Sequence, residues 1–145
     1  MSDAIIKKAG EIIANNTVTD GTYTGQSCVL SLIDSEGYPA ATVLTASQSD
    51  GIKRIWFCTG LDSEKVKKIR KNNKASVCFS AAEYGITLVG EIEIITDEVF
   101  KKDMWYPSLE GHFPKGATDP QYCVLQFTTK RYSLFVDCQE IKGGV

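Results

Sequence analysis

The pattern of apolar and polar residues along this chain predicts mostly short strands, and the first patterned segment is helical. In residues 2–15, Ile5, Ile6, Ala9, Ile12 and Ile13 recur at three- and four-residue spacing, which predicts an amphipathic helix. Ser2 or Asp3 suits its start and Asn15-Asn16 its end. The apolar run 28–33 predicts a strand buried on both faces, and Asp34-Ser35-Glu36-Gly37 a hairpin turn after it. The returning strand is placed at 39–46, with Pro39 at its first position, where a missing N–H is tolerated. Residues 47–51 read as a polar loop, 53–59 as a strand, 63–71 as a helix and 75–81 as a strand. A longer strand follows at 86–96, in which Gly90 marks a bulge or sharp bend. Thr96-Asp97-Glu98 opens a third helix that runs to residue 105. The Gly- and Pro-containing stretch 106–120 is long enough to be a functional loop, and strands at 121–128 and 132–137 complete the chain. About six or seven strands with few helices predict a mainly β fold, a closed or nearly closed antiparallel β-barrel with flanking helices, because closure removes exposed edges.

Composition narrows the function classes. A length of 145 residues predicts one domain over 1–145. The hydrophobic fraction of 43% and charged fraction of 23% are those of a soluble globular chain. A net charge of −2 gives no basis for binding nucleic acid or a membrane surface. No apolar run approaches the ~18–20 residues that span a bilayer, and the N-terminus does not read as a signal peptide. Cys28, Cys58, Cys78, Cys123 and Cys138 are odd in number and widely spaced, and His112 is the only histidine. Structural zinc is not expected, and all but Cys138 fall within predicted strands, as reduced thiols of a cytoplasmic protein would.

The candidate chemistry concentrates in residues 56–79, WFCTGLDSEKVKKIRKNNKASVCF, a strand, a tight turn, a short basic helix and a second strand. The start of a helix presents unpaired N–H groups and the positive end of its dipole, so it attracts anions such as phosphate. Ser63 and Lys65 add a hydroxyl and an ammonium at that place. The competing reading is a solvated basic helix, since Lys65, Lys67, Lys68, Arg70 and Lys71 form one charge run. Trp105, Tyr106, His112 and Phe113 cluster in and before the long loop, as the wall of a ring-binding site or as loop packing. A histidine-based proton transfer would have to use His112. No nucleophile triad, carboxylate pair or Walker loop is present, and no catalytic residue is assigned.

The segment resembles the pyridoxamine-phosphate-oxidase-like family of FMN-binding split barrels. That family has a strand ending in Thr, a turn, Ser-x-Lys opening a helix, Asn-Asn or Asn-Pro, and a further strand. Thr59, Ser63, Lys65, Asn72 and Asn73 fall on those positions. Gly37-Tyr38-Pro39 fits the family's Gly-x-Pro turn, after which the flavin-contacting strand follows. Residues 111–122, GHFPKGATDPQY, are similar to the Phe-Pro-x-Gly and Asp-Pro-x-Tyr loop of the branch related to general stress protein 26. The similarity covers residues 25–137.

The resemblance implies an FMN-binding split barrel, a homodimer that builds its flavin cleft from both subunits, and an oxidoreductase acting on a small-molecule substrate. It implies cofactor contacts at Thr42, Val43, Leu44, Thr45, Cys58, Thr59, Ser63 and Lys65, with Trp105 among the aromatics near the ring. The alternative is a non-catalytic flavin- or haem-binding stress-response protein. Two positions depart from the family: Thr42 and Glu64 stand where Arg is frequent. The tail 138–145 also lacks the oxidase's Arg- and His-containing segment for pyridoxal phosphate, so oxidation of pyridoxamine phosphate itself is not expected.

Overall fold

In the computed structural model, which describes residues 2–18 and 26–145, this pattern becomes one eight-stranded antiparallel sheet with three α-helices. The elements run α1 (Ser2–Asn15), β1 (Cys28–Ile33), β2 (Pro39–Leu44), β3 (Gln48–Asp50), β4 (Arg54–Gly60), α2 (Glu64–Lys71), β5 (Lys74–Ala81), β6 (Tyr84–Ile95), α3 (Glu98–Met104), β7 (Tyr122–Val136) and β8 (Gln139–Gly144). Two 3₁₀ turns, Pro107–Gly111 and Gly116–Thr118, lie between α3 and β7.

The strand order is β2-β1-β5-β6-β7-β4-β3, with β8 added to β7. β2 and β3 stand at opposite ends of this order, yet only Thr45, Ala46 and Ser47 separate them in the chain. The two ends are thus tied covalently, and the sheet must curl into a split barrel. Backbone bonds pin the tying corner: Val18 N–H donates to the Ala46 carbonyl at 2.9 Å and Ser47 N–H to that of Trp56 at 2.7 Å.

Alternation along the strands fills the barrel. Leu30, Leu32, Ile55, Phe57, Val77, Phe79, Ile86, Leu88, Leu125 and Phe127 are fully buried, and α1 closes one side with Ile5, Ala9 and Ile13. Each large side chain so buried contributes on the order of 1.5–3 kcal/mol. β1 is buried on one face only: Cys28, Leu30 and Leu32 point inward while Val29, Ser31 and Ile33 are half-covered. The expectation of burial on both faces fails here because the barrel interior covers only one side of β1. A stretch with both faces covered occurs instead at the start of β7. There Cys123, Leu125 and Phe127 enter the barrel, while Tyr122 and Val124 join a second core with Met104, Leu109 and Phe113.

Other expectations are corrected in detail. Residues 47–51 contain β3 rather than only a loop, and the tail forms β8. A tight turn at Asp137 and Cys138, with φ of 52° and 60°, leads into β8, as two-residue hairpins require. The two strands expected at 121–128 and 132–137 are one strand, β7. Its pairing with β6 shifts between Val89–Arg131 and Gly90–Thr129, so Lys130 is the extra residue of a bulge and β7 bends without ending.

Gly90 makes the bend possible. Any Cβ at this position would collide with the Thr128 carbonyl oxygen. Gly90→Ala should therefore cost about 1–3 kcal/mol, read as a lower urea midpoint with an unchanged slope. Gly85→Ala, where a Cβ meets nothing within 4 Å, is the control and should move stability by under about 0.5 kcal/mol. Equal midpoints for the two variants would contradict this account of the bend.

Candidate functional site

The turn after β4 is built to start a helix. Leu61 N–H donates to the Gln121 carbonyl at 2.7 Å and Ser63 N–H to that of Gly60 at 3.1 Å, which folds the chain back on itself. Ser63 is the N-cap of α2, its hydroxyl accepting from Val66 N–H at 3.3 Å. Val66 and Ile69 face the core, so the opposite, lysine-rich face is turned outward. Glu64 pairs with Lys67 at 3.2 Å along this outer face. Lys65 is half-buried and forms no ion pair among the described residues.

The second half of the site depends on α3. Asp97 caps its start, accepting from Phe100 N–H at 3.1 Å. Side chains from the barrel hold its end. Tyr122 O–H donates to the Lys101 carbonyl at 2.7 Å, Gln48 Nε2 to that of Asp103 at 3.1 Å, and Ser47 Oγ to that of Met104 at 2.9 Å. Cys58 Sγ also reaches the Met104 carbonyl, at 3.4 Å. These bonds satisfy carbonyls that a helix end leaves without partners.

Beyond α3 the chain is locked rather than loose. The Lys101 side chain is almost wholly buried, donates to the Asp119 carbonyl at 3.1 Å and lies 5.4 Å over the Tyr122 ring. The Asp119 carboxylate accepts from the N–H groups of Gln121 at 3.0 Å and Lys115 at 3.2 Å. Those two bonds, Gln121 first, hold its carboxyl below the usual range. Gly116 supplies the positive φ of 75° between them. Phe113-Pro114-Lys115-Gly116 and Asp119-Pro120-Gln121-Tyr122 thus form one device that fixes the loop against the barrel.

The two halves border an open cavity of about 850 Å³. Val43, Leu44 and Thr45 line it from the end of β2, Cys58, Thr59 and Gly60 from the end of β4, and Asp62, Ser63 and Lys65 from the start of α2. The loop contributes Tyr106, Ser108, Leu109, His112 and Phe113, and Ser27 lies at the head of β1. Gly60 keeps the space open: a Cβ there would stand 3.0 Å from Asp62 Oδ1 and 3.7 Å from Phe113.

Seven of the nine residues expected at the site, Val43, Leu44, Thr45, Cys58, Thr59, Ser63 and Lys65, meet around this one cavity. Thr42 and Trp105 are not among its lining residues. Thr42 pairs with Leu30, so alternation directs it with that side chain toward the barrel interior. Trp105 stands behind the cavity wall, edge-on to Tyr122 at 5.2 Å and to Phe113 at 6.4 Å. Thr45 donates to the Gln26 carbonyl at 2.7 Å, so its proton is already engaged. Asp62, Ser27, Ser108 and Leu109 line the cavity without having been picked out from the sequence. Asp62 directly precedes the Ser63 cap, but its place on the wall required the folded turn. The other three required the folded loop and the strand register. The tail strand β8 runs along residues 131–136 and gives the cavity no lining residue.

The family described as pyridoxamine 5'-phosphate oxidase like matches residues 14–135. No curated protein is a match. Among solved structures, a Clostridium acetobutylicum protein related to general stress protein 26, of the pyridoxinephosphate oxidase family, shares 24% identity and a TM-score of 0.81, covering 100% of this chain and 97% of its own. The general stress FMN/FAD binding protein of Xanthomonas citri shares 18% identity and a TM-score of 0.73 over 99% and 96%. A heme binding protein of Mycobacterium smegmatis shares 15% and 0.69 over 97% of this chain and 57% of its own. The fold is therefore that of these split barrels.

The thiols complete the electrostatics. Burial pushes Cys28 up to about 12 and Cys123 up to about 11, and raises Cys58 as well. Cys58, though on the cavity wall, is thus held as a neutral thiol. Only thiolates alkylate at a useful rate. Native protein treated with iodoacetamide near pH 8, about half a unit below a free thiol's pKa, should take label first at the exposed Cys138. Cys28, Cys58 and Cys123 should become reactive only on unfolding. Peptide mass mapping that found Cys58 labelled as fast as Cys138 would contradict the neutral-thiol assignment.

Proposed function

The chain belongs to the pyridoxamine 5'-phosphate oxidase-like family, and on that premise we propose that its cavity holds FMN and that the protein is an FMN-dependent oxidoreductase acting on a small molecule. One observation carries this reading. Lys65, with no ion pair among the described residues, lines the same cavity as the start of α2. An ammonium, a capping hydroxyl and a helix N-terminus together suit one terminal phosphate. The cavity volume of about 850 Å³ lies within the ~300–1,000 Å³ usual for cofactor sites. β2 ends the strand order, so one of its edges can offer N–H and C=O groups at Val43 to Thr45 to a polar ring edge.

A bound flavin would supply the electron transfer; the chain's part is to bind, orient and exclude water. Ser63 and Lys65 would grip the phosphate. The β2 edge would orient the ring, and Tyr106, Leu109 and Phe113 would shield it from solvent. A second reading, a non-catalytic flavin- or haem-binding protein, draws on His112, whose imidazole also lines the cavity. The absorption spectrum of the purified protein separates flavin from haem. Bleaching by a reduced nicotinamide separates an oxidoreductase from a passive carrier.

The function reading predicts that Lys65→Ala weakens FMN binding about ten- to hundredfold, the value of a lost charge-assisted contact, while riboflavin, which has no phosphate, binds as before. Titration by flavin fluorescence checks this. A wild-type protein that takes up no FMN, or a variant with undiminished affinity, would overturn it.

We further propose that the protein is a homodimer of single-domain chains. Val43, 69% exposed, puts apolar surface on β2 at the cavity, and Tyr38, 65% exposed, adds more at the turn that opens the same strand. Light scattering at micromolar concentration should give twice the chain mass; a value of 15.9 kDa would rule the dimer out.

A further inference from the structure

We propose that Asp62 sets how firmly the cavity grips a phosphate, offsetting Lys65 so that a phosphorylated flavin stays exchangeable instead of permanently seated; this rests on the flavin reading above.

The charges that line the cavity from the α2 side are Asp62 and Lys65. The other nearby acid, Glu64, is turned to Lys67 and does not line it. Asp62 immediately precedes the Ser63 cap, yet its carboxylate makes no hydrogen bond or ion pair among the described residues. Its position follows from Gly60. The point where a Cβ would sit on Gly60 is 3.0 Å from Asp62 Oδ1 and 3.7 Å from the Phe113 ring. The carboxylate therefore folds back over the bare α-carbon and faces the same gap as the aromatic wall. No cation consumes its charge there.

A phosphate monoester brings about −1.5 to −2 charges at neutral pH. The α2 N-terminus and Lys65 attract that charge, and Asp62 repels it across the same space. The repulsion depends on the ligand's phosphate and not on its ring, so Asp62 should discriminate between FMN and riboflavin. An acid ahead of a helix also interacts with the helix dipole. That role belongs to the protein alone and would shift both ligands equally or neither.

The test titrates FMN and riboflavin into the full chain and into its Asp62→Asn and Asp62→Glu variants. In Asp62→Asn the ratio of FMN to riboflavin affinity should rise about three- to tenfold, as expected for removing one like charge from an exposed, partly solvated position on the cavity wall. FMN release should slow in proportion. Asp62→Glu, which keeps the charge, should retain the wild-type ratio. An unchanged ratio in Asp62→Asn, with both flavins bound, would overturn the inference and leave the flavin reading standing. So would a rise of the same size in Asp62→Glu. Absence of binding of either flavin to the wild-type chain would overturn both.

Discussion

The carbonyl groups at the end of α3 are the point on which the cavity depends. A helix of seven residues is too short to persist by itself, and its last carbonyls need donors. The barrel supplies them from three elements: Ser47 and Gln48 at the corner and start of β3, Cys58 on β4 and Tyr122 at the start of β7. These donors set both the position of α3 and the direction in which the chain leaves it. The stretch that follows then folds under the Lys101–Asp119 contact and delivers Tyr106, His112 and Phe113 to the cavity. One of the donors, Cys58, lines the cavity itself, so the wall and its anchor are coupled through a single side chain.

Barrel closure provides the opposite wall. Because β2 and β3 are joined by three residues yet occupy the two ends of the sheet, the end of β2 must lie near the end of β4. This brings Val43 to Thr45 beside Cys58 to Gly60. The start of α2 then falls at the same place, since the turn after Gly60 is bonded to Gln121 at the head of β7. Neither wall is an independent structure. The site is where a seam in the barrel meets a helix start, with a glycine leaving the space between them.

Much of this was legible in the sequence, for identifiable reasons. The period of α1, the Asp34–Gly37 turn, the Ser63 cap and Gly90 each act through local chemistry, so their residues announce them. The cluster of Ser63 and Lys65 with Thr59 and the end of β2 followed from a family resemblance spread over several motifs. What stayed hidden depended on partners distant in the chain. β8 has two glycines and no marked alternation, and exists because β7 offers it an edge. β7 reads as two strands because the Thr129–Arg131 bulge interrupts its pattern without ending its pairing. Thr42 does not line the cavity, and only the β1–β2 register, which sets it opposite Leu30, shows this. Asp62 belongs to no motif, and its place on the cavity wall beside Gly60 emerges only from the folded turn.

The central claim is that phosphate is held at the start of α2 with the ring against β2 and the long loop. Backbone amide chemical shifts followed by NMR as FMN is added test it most directly. The account predicts perturbation confined to three groups: residues 43–45, residues 58–66 and residues 106–113, with the amides at Ser63 to Val66 absent from the response when riboflavin replaces FMN. Shifts centred instead on the shallow basic hollow at Arg70 to Asn73, or identical shifts at Ser63 to Val66 with both flavins, would contradict it.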